Sequence, residues 1–121
     1  MSWPMIRLAL IATLFVFAPL QGWADVYPLD TEAIGKAPKK HGVYRLYRQS
    51  ELIYIGKAVA QSVTIHRQLG EHMRGDAGAC TQSATHYNYE VRHNIVSMHR
   101  LYLEHYRATH GKLPKCNSPL Q

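Results

Sequence analysis

The chain has 121 residues, which is enough for one small domain and too few for two of ordinary size. Lys and Arg outnumber Asp and Glu by 14 to 8, and the formal net charge of +6 suits a polyanionic partner such as nucleic acid. The 2 cysteines and 8 histidines contain neither a Cys-x-x-Cys nor a His-x-x-x-His pair, which argues against a structural zinc site.

Residues 1–24 are expected to be an export signal. A single basic residue, Arg7, precedes an apolar run over residues 8–20, and small residues occupy both positions that a signal peptidase reads before Asp25. The alternative, a membrane anchor, is disfavoured because the run covers 13 residues against the roughly 20 needed to span a bilayer. Cleavage would remove one positive charge, leaving +5 on a periplasmic or secreted chain without a stable membrane anchor.

The two cysteines, Cys80 and Cys116, are candidates for a disulfide. An even count in an exported chain makes this bond the default expectation. It would close a loop over most of the second half of the chain and contribute about 3 to 4 kcal/mol to stability. That contribution matters because the 97 residues that remain after signal cleavage bury only a small core.

The first predicted elements are a lead-in and a hairpin. Residues 25–40 lack hydrophobic periodicity and contain Pro and Gly, so we expect a surface loop or a short helical turn. Residues 42–48 and 52–56 are rich in β-branched, aromatic and aliphatic side chains and are separated by a polar turn. This pattern predicts an antiparallel hairpin, with Tyr44 and Leu46 on one face of the first strand.

A helix, a loop and a third strand follow. The helix is predicted to start at Ser62 and to end at Gly75, and its buried stripe has three residues at helical spacing: Ile65, Leu69 and Met73. Residues 76–85 are expected to form a loop. Apolar and aromatic residues alternate over residues 86–93, which predicts a strand.

A long helix over residues 94–109 is predicted to close the domain, and Gly111 and Pro114 stop it. Its expected apolar face consists of Ile95, Met98, Leu101, Tyr102 and Tyr106. The whole pattern predicts an α+β domain over residues 41–117, with a small three-stranded antiparallel sheet flanked by helices and a tail at residues 118–121.

Two tyrosine-bearing motifs flank the predicted hairpin turn: Gly42-Val43-Tyr44 and, after nine residues, Tyr54-Ile55-Gly56-Lys57. This pair resembles the signature of the GIY-YIG nuclease family. The last helix carries Glu104, and the following Pro114-Lys115-Cys116-Asn117 is similar to the family's closing Pro-x-Tyr-Asn turn. Residues 67–72 resemble the family's Arg-rich helix, which ends in His.

The resemblance implies an enzyme that hydrolyses the phosphodiester bonds of DNA. By the family pattern, Tyr44 would act as general base or orient the attacking water, and Tyr54 would bind the phosphate beside it. A phenol with a pKa near 10 needs a nearby cation to act as a base at neutral pH, and Lys57 is the candidate for it. Gly42 and Gly56 would support this part of the site.

The resemblance also implies a divalent metal, Mg²⁺ or Mn²⁺, held by Glu104 with water completing an oxygen shell. Asn117 would tie the tail to the site without taking part in the chemistry. His72 has three open roles: a core residue, a second base or a phosphate contact.

Gln68 stands where the family carries its catalytic arginine, and it has no charge to offer the transition state. Arg67, Arg74 or Arg45 would then replace that arginine, or the protein would bind DNA without cutting it. A second departure is Cys116, which stands where the family has Tyr and which we attribute to an oxidising compartment.

Each candidate residue also has a purely structural interpretation. Tyr44 and Tyr54 would be aromatic residues that pack on the sheet, and Glu104 would form a surface ion pair with Arg100 or Arg107. Three function classes therefore stay open: an exported metal-dependent endonuclease, a degenerate domain that binds nucleic acid without cleaving it, and an unrelated small periplasmic binding or structural protein.

Overall fold

The computed structural model describes residues 26–118, an α+β fold in which helices flank a four-stranded antiparallel sheet. The predicted export signal and residues 119–121 lie outside this range. In residues 26–118, no helix is both long enough and apolar enough to cross a membrane. The elements are β1 (Tyr27–Pro28), α1 (Thr31–Gly35), β2 (Gly42–Arg48), β3 (Glu51–Ala58), α2 (Ile65–Arg74), α3 (Ala79–Gln82), β4 (His86–Val91) and α4 (Ile95–His110).

The sheet has the order β1-β4-β2-β3, so the prediction of three strands was one strand short. The extra strand is β1, in the lead-in, where Tyr27 pairs with Tyr87 of β4. The lead-in also contains α1, which confirms the predicted alternative of a short helical turn, and Ile34 of α1 is buried in the core, so the packed unit begins before His41. A two-residue strand is too short to produce the alternating pattern from which strands are predicted.

Each face of the sheet packs against its own core. On one face, Tyr44 and Leu46 contact residues of α1 and α2, as the alternation of β2 predicts. On the other, Val43 and Ile55 contact α4. The pairing of β2 with β3 shifts between Leu46 and Tyr47, and this bulge is a local irregularity in an otherwise regular hairpin.

Helix α2 begins later than predicted. Thr64, and not Ser62, is its N-cap, and the Thr64 hydroxyl accepts a hydrogen bond from the Arg67 N–H at 3.1 Å. Ser62 has a φ of 66° and belongs to the preceding turn. Gly75 ends the helix as predicted, with a φ of 86°. The predicted loop that follows contains the short helix α3.

Helix α4 matches its predicted extent, but one residue of its predicted apolar face is wrong. Leu101 is 52% exposed, and the buried residues are Ile95, His99 and Leu103. These three recur at intervals of four residues and therefore lie along one side of the helix. The buried side of α4 was predicted incorrectly because one of its residues is a histidine, which a search for apolar spacing does not count.

The C-terminal tail covers the outer edge of β3. The Cys116 N–H donates to the Ile53 carbonyl at 2.8 Å, and the Asn117 side chain bonds to both backbone groups of Ile55, at 2.9 and 3.0 Å. The predicted disulfide joins Cys116 to Cys80 of α3. The tail thus satisfies backbone groups that an edge strand would leave open, and the disulfide holds it there.

Candidate active site

Two glycines of the motifs allow close packing that a side chain would prevent. A Cβ atom at Gly56 would overlap the Tyr44 ring, and it would lie 2.7 Å from Cε2 of Tyr54. A Cβ atom at Gly42 would overlap the Glu90 carbonyl oxygen of β4. Gly56 therefore positions Tyr44 and Tyr54, whose ring centroids lie 6.1 Å apart.

Tyr44 belongs to a buried hydrogen-bond network beneath α2. Its hydroxyl lies 3.2 Å from Oε1 of Gln68 and 2.7 Å from Nε2 of His72, and Nδ1 of His72 lies 2.8 Å from the Thr81 hydroxyl. One arrangement satisfies all four groups: Thr81 donates to Nδ1, Nε2–H donates to Tyr44, and Tyr44 donates to Gln68. His72 is neutral in this arrangement.

Burial opposes charge on both members of the Tyr44–His72 pair. Tyr44 is 1% exposed, and burial raises the pKa of its phenol well above 10, an effect that Tyr54 and Glu71 reinforce. His72 is 2% exposed, and burial lowers its pKa although Glu71 acts in the opposite direction. The predicted role of Tyr44 as a base requires the opposite shift, because a base must form the phenolate near neutral pH.

Lys57 does not supply the cation that this role requires. It pairs in register with Val43, whose side chain packs on the α4 face, whereas Tyr44 pairs with Gly56 and packs under α2. Successive strand residues point to opposite faces, so Lys57 lies across the sheet from Tyr44. The structure therefore separates two residues that the family pattern would combine.

Lys57 instead lines a cavity of about 360 Å³ between β3 and α4, which we call the Glu104 cavity. Its polar lining consists of Lys57, His99, Arg100, Glu104 and Arg107. Within the described residues, no ion pair joins Glu104 to Arg100 or to Arg107, although helical spacing favours such pairs. The Glu104 carboxylate thus keeps its charge available to another cation.

Glu104 is the one carboxylate among the described residues that line this cavity. Between residues 26 and 118, no three His, Cys, Asp or Glu side chains come together as a metal cluster. Mg²⁺ in proteins often takes only one or two carboxylates and keeps several waters, with substrate phosphate as a further ligand. Glu104 would be the protein ligand of Mg²⁺ or Mn²⁺, and the neighbouring cations would bind the phosphate.

The three arginines proposed to replace the missing one each contact a carboxylate. Arg67 contacts Glu71 at 3.1 Å and Arg74 contacts Asp76 at 3.2 Å, both on the surface. Arg45 contacts Glu90 at 2.9 Å and lies over the Tyr102 ring. Arg67, Arg74 and Arg45 are therefore poorly placed to serve as the catalytic cation.

His99 and Asn117 converge on Ile55 of β3. Nε2 of His99 donates to the Ile55 carbonyl at 3.0 Å, because a carbonyl can only accept. Burial lowers the pKa of His99, Lys57 lowers it further, and the hydrogen bond to Ile55 acts in the opposite direction. The neutral ring then carries its lone pair on Nδ1. Asn117 anchors the tail to β3, and its supporting role in a site stays a prediction.

Sequence reasoning missed four residues of these two groups. Thr81 lies in a segment predicted as loop, so no pattern pointed to its contact with His72. His99 could have been found, because it lies four residues from both Ile95 and Leu103 on the buried side of α4. Arg100 and Arg107 were considered only as surface partners of Glu104.

No protein-family model matches this chain, and no curated protein is significantly similar to it.

Proposed function

We propose that this protein is an exported endonuclease of the GIY-YIG type, which hydrolyses the phosphodiester bonds of DNA with Mg²⁺ or Mn²⁺ held by Glu104. The observation that carries the proposal is the Glu104 cavity, where one carboxylate lies among Lys57, Arg100 and Arg107. Export is supported by the Cys80–Cys116 disulfide, because such bonds persist in oxidising compartments.

Arg100 and Arg107 provide the positive charge that Gln68 lacks. In the described part of the chain neither forms an ion pair, in contrast to Arg67, Arg74 and Arg45. They extend from the same helix as Glu104, so a phosphate at this cavity would contact the carboxylate-bound ion and both guanidinium groups. Stabilising the developing charge in this way is a major source of catalysis in phosphoryl transfer.

His99 is a neutral imidazole that lines this cavity, and it is the candidate for accepting a hydrogen bond from the attacking water, since burial and Lys57 disfavour the imidazolium that a proton transfer would form. Its hydrogen bond to the Ile55 carbonyl fixes the ring, and Nδ1 has no partner among residues 26–118. A divalent ion bound by Glu104 would polarise the phosphate and lower the pKa of a bound water. A neutral imidazole would then orient that water, and the buried Tyr44 phenol need not ionise.

The test is cleavage of labelled single- and double-stranded DNA with Mg²⁺, Mn²⁺ or EDTA. Glu104→Gln should lower the rate about 100-fold or more, because a bound metal contributes several kcal/mol of transition-state stabilisation. Glu32→Gln is the matched control, since Glu32 lies on α1, away from the Glu104 cavity, and its loss should leave cleavage largely unchanged. Cleavage that resists EDTA, or an active Glu104→Gln variant, contradicts the proposal.

A second candidate function is binding of nucleic acid without cleavage. It is favoured by Gln68, whose amide oxygen accepts from Tyr44 where an arginine is usual, and by the pairing of Arg67 with Glu71. In this case the native chain should bind DNA in a strongly salt-dependent way, and Glu104→Gln should bind equally well. Cleavage gained in Gln68→Arg would place the chemistry on the α2 face and not at Glu104.

A further inference from the structure

A second basic cavity lies at the end of the sheet where β2 begins and where β3 and β4 end. Gly42 pairs in register with Ala58 and with Val91, so the segments that adjoin these residues meet at this end. The cavity measures about 570 Å³, and we call it the strand-end cavity. Its basic lining residues are Lys39, Lys40, His41, Arg92 and His93.

Two lysines of the strand-end cavity form no ion pair with a carboxylate of the described residues. Arg92 contacts Glu90 at 3.0 Å, but within residues 26–118 neither Lys39 nor Lys40 forms an ion pair. Val59 and Val91 line the same cavity and are 39% and 51% exposed. Closely spaced, unpaired cations attract a polyanion, and their repulsion is relieved when phosphates bind.

The opposite charge distribution occurs beside β1. There a cavity of about 470 Å³ is lined by tyrosines, by Asp30 and Glu32, and by one lysine, Lys36. Two carboxylates against one ammonium group disfavour a polyanion at that place. Of these two cavities, the strand-end cavity is therefore the one better suited to bind phosphates next to the Glu104 cavity.

The two basic cavities adjoin each other across the first turn of α4. Ile95 lines the strand-end cavity, and its neighbour Val96 lines the Glu104 cavity. Glu104 follows Val96 by eight residues, which is about 12 Å along the helix. At about 3.4 Å per nucleotide of one strand, this length of the Glu104 cavity corresponds to roughly three or four nucleotides, so a strand that also reaches the strand-end cavity is at least this long.

We propose that the strand-end cavity binds the backbone of the DNA strand whose scissile phosphate enters the Glu104 cavity. This inference rests on the proposed action on DNA. Lys39 and Lys40 bind successive phosphates, while the imidazoles of His41 and His93 donate hydrogen bonds to phosphate oxygens. Such contacts carry no base information, so they fix the register of the strand and leave the sequence preference relaxed.

The test is the salt dependence of binding to a short fluorescein-labelled DNA duplex, measured by anisotropy in EDTA from about 50 to 200 mM salt. Lys39→Gln/Lys40→Gln should reduce the slope of log K against log salt by about 1.8, because two phosphate contacts are lost. The control, Arg48→Gln/Lys115→Gln, removes two charges at the hairpin turn, where both residues contact Glu51. It should leave the slope close to that of the native chain.

An unchanged slope in the lysine variant, or an equal change in both variants, would overturn the inference, since only total charge would then matter. Because the measurement is made in EDTA, it does not depend on cleavage. A native chain that fails to cut DNA but shows the slope difference contradicts the proposed endonuclease and leaves this binding surface standing. A chain that cuts DNA with no slope difference contradicts the binding surface alone.

Discussion

Polar side chains are arranged differently on the two faces of the sheet. Beneath α2, Tyr44, His72 and Thr81 are buried and neutral, and they satisfy one another by hydrogen bonds. On the α4 face, Arg100 and Glu104 lie with other charged groups around a cavity, without an ion pair between them in the described residues. The first arrangement specifies a structure, whereas the second leaves charge available to a ligand.

This difference shows that the residues of one short motif do not all belong to one site. Tyr54 and Lys57 are three residues apart on β3, and an odd separation places two strand residues on opposite faces. The motif that resembles a single catalytic signature is therefore divided by the sheet itself. Three experiments test whether the α2 face is structural while the α4 face is functional.

The largest expected effect is the loss of the disulfide, which joins α3, a neighbour of α2, to the tail on the edge of β3. The bond closes a loop with a sequence separation of 36. Cys80→Ser/Cys116→Ser should lower the free energy of unfolding by about 3 to 4 kcal/mol, as measured by urea denaturation. The native chain treated with a reductant should show the same loss, and a much smaller loss would mean that the tail holds without the bond.

A smaller effect is expected from Tyr44→Phe. The substitution leaves His72 and Gln68 without their shared partner and should cost about 1 to 3 kcal/mol of stability, with little change in the cleavage rate of the folded protein. Tyr87→Phe is a matched control, because its buried phenol donates to the Ala33 carbonyl outside the site. If the cleavage rate of Tyr44→Phe falls far more than its folded fraction does, Tyr44 takes part in the reaction.

The smallest effect is a pH dependence of stability. His72 and His99 have folded pKa values below the usual 6.5, so the unfolded chain binds protons at a higher pH than the folded protein does. Stability is therefore complete above about pH 6.5 and is lost as the pH falls below it, by at most about 1.4 kcal/mol per pH unit for each histidine.

Urea denaturation at several pH values between about 5 and 7 measures this slope. His72→Asn should remove one histidine's share of it. A native slope that His72→Asn leaves intact would show that His72 has the same pKa in the folded and the unfolded chain, and burial in the network under α2 would then not lower the pKa of its ring.

The regular elements could be predicted because each one leaves a periodic signal. β2 and β3 alternate, and the helices α2 and α4 repeat their apolar residues at helical spacing, so their positions were predicted to within a few residues. β1 and α3 could not be predicted in this way, because an element of two or four residues completes no period. They form because neighbours that are distant in sequence supply their partners.

The sequence by itself determined the order of the main elements, the alternation that divides Tyr54 from Lys57, and the two cysteines that pair. Only the tertiary structure decided what each polar residue contacts: Tyr44 meets His72 and Gln68, whereas Arg100 and Arg107 are left with Glu104 around a cavity. The reason is that periodicity fixes which face a side chain occupies, but its burial, pKa and partners depend on residues far away in the chain.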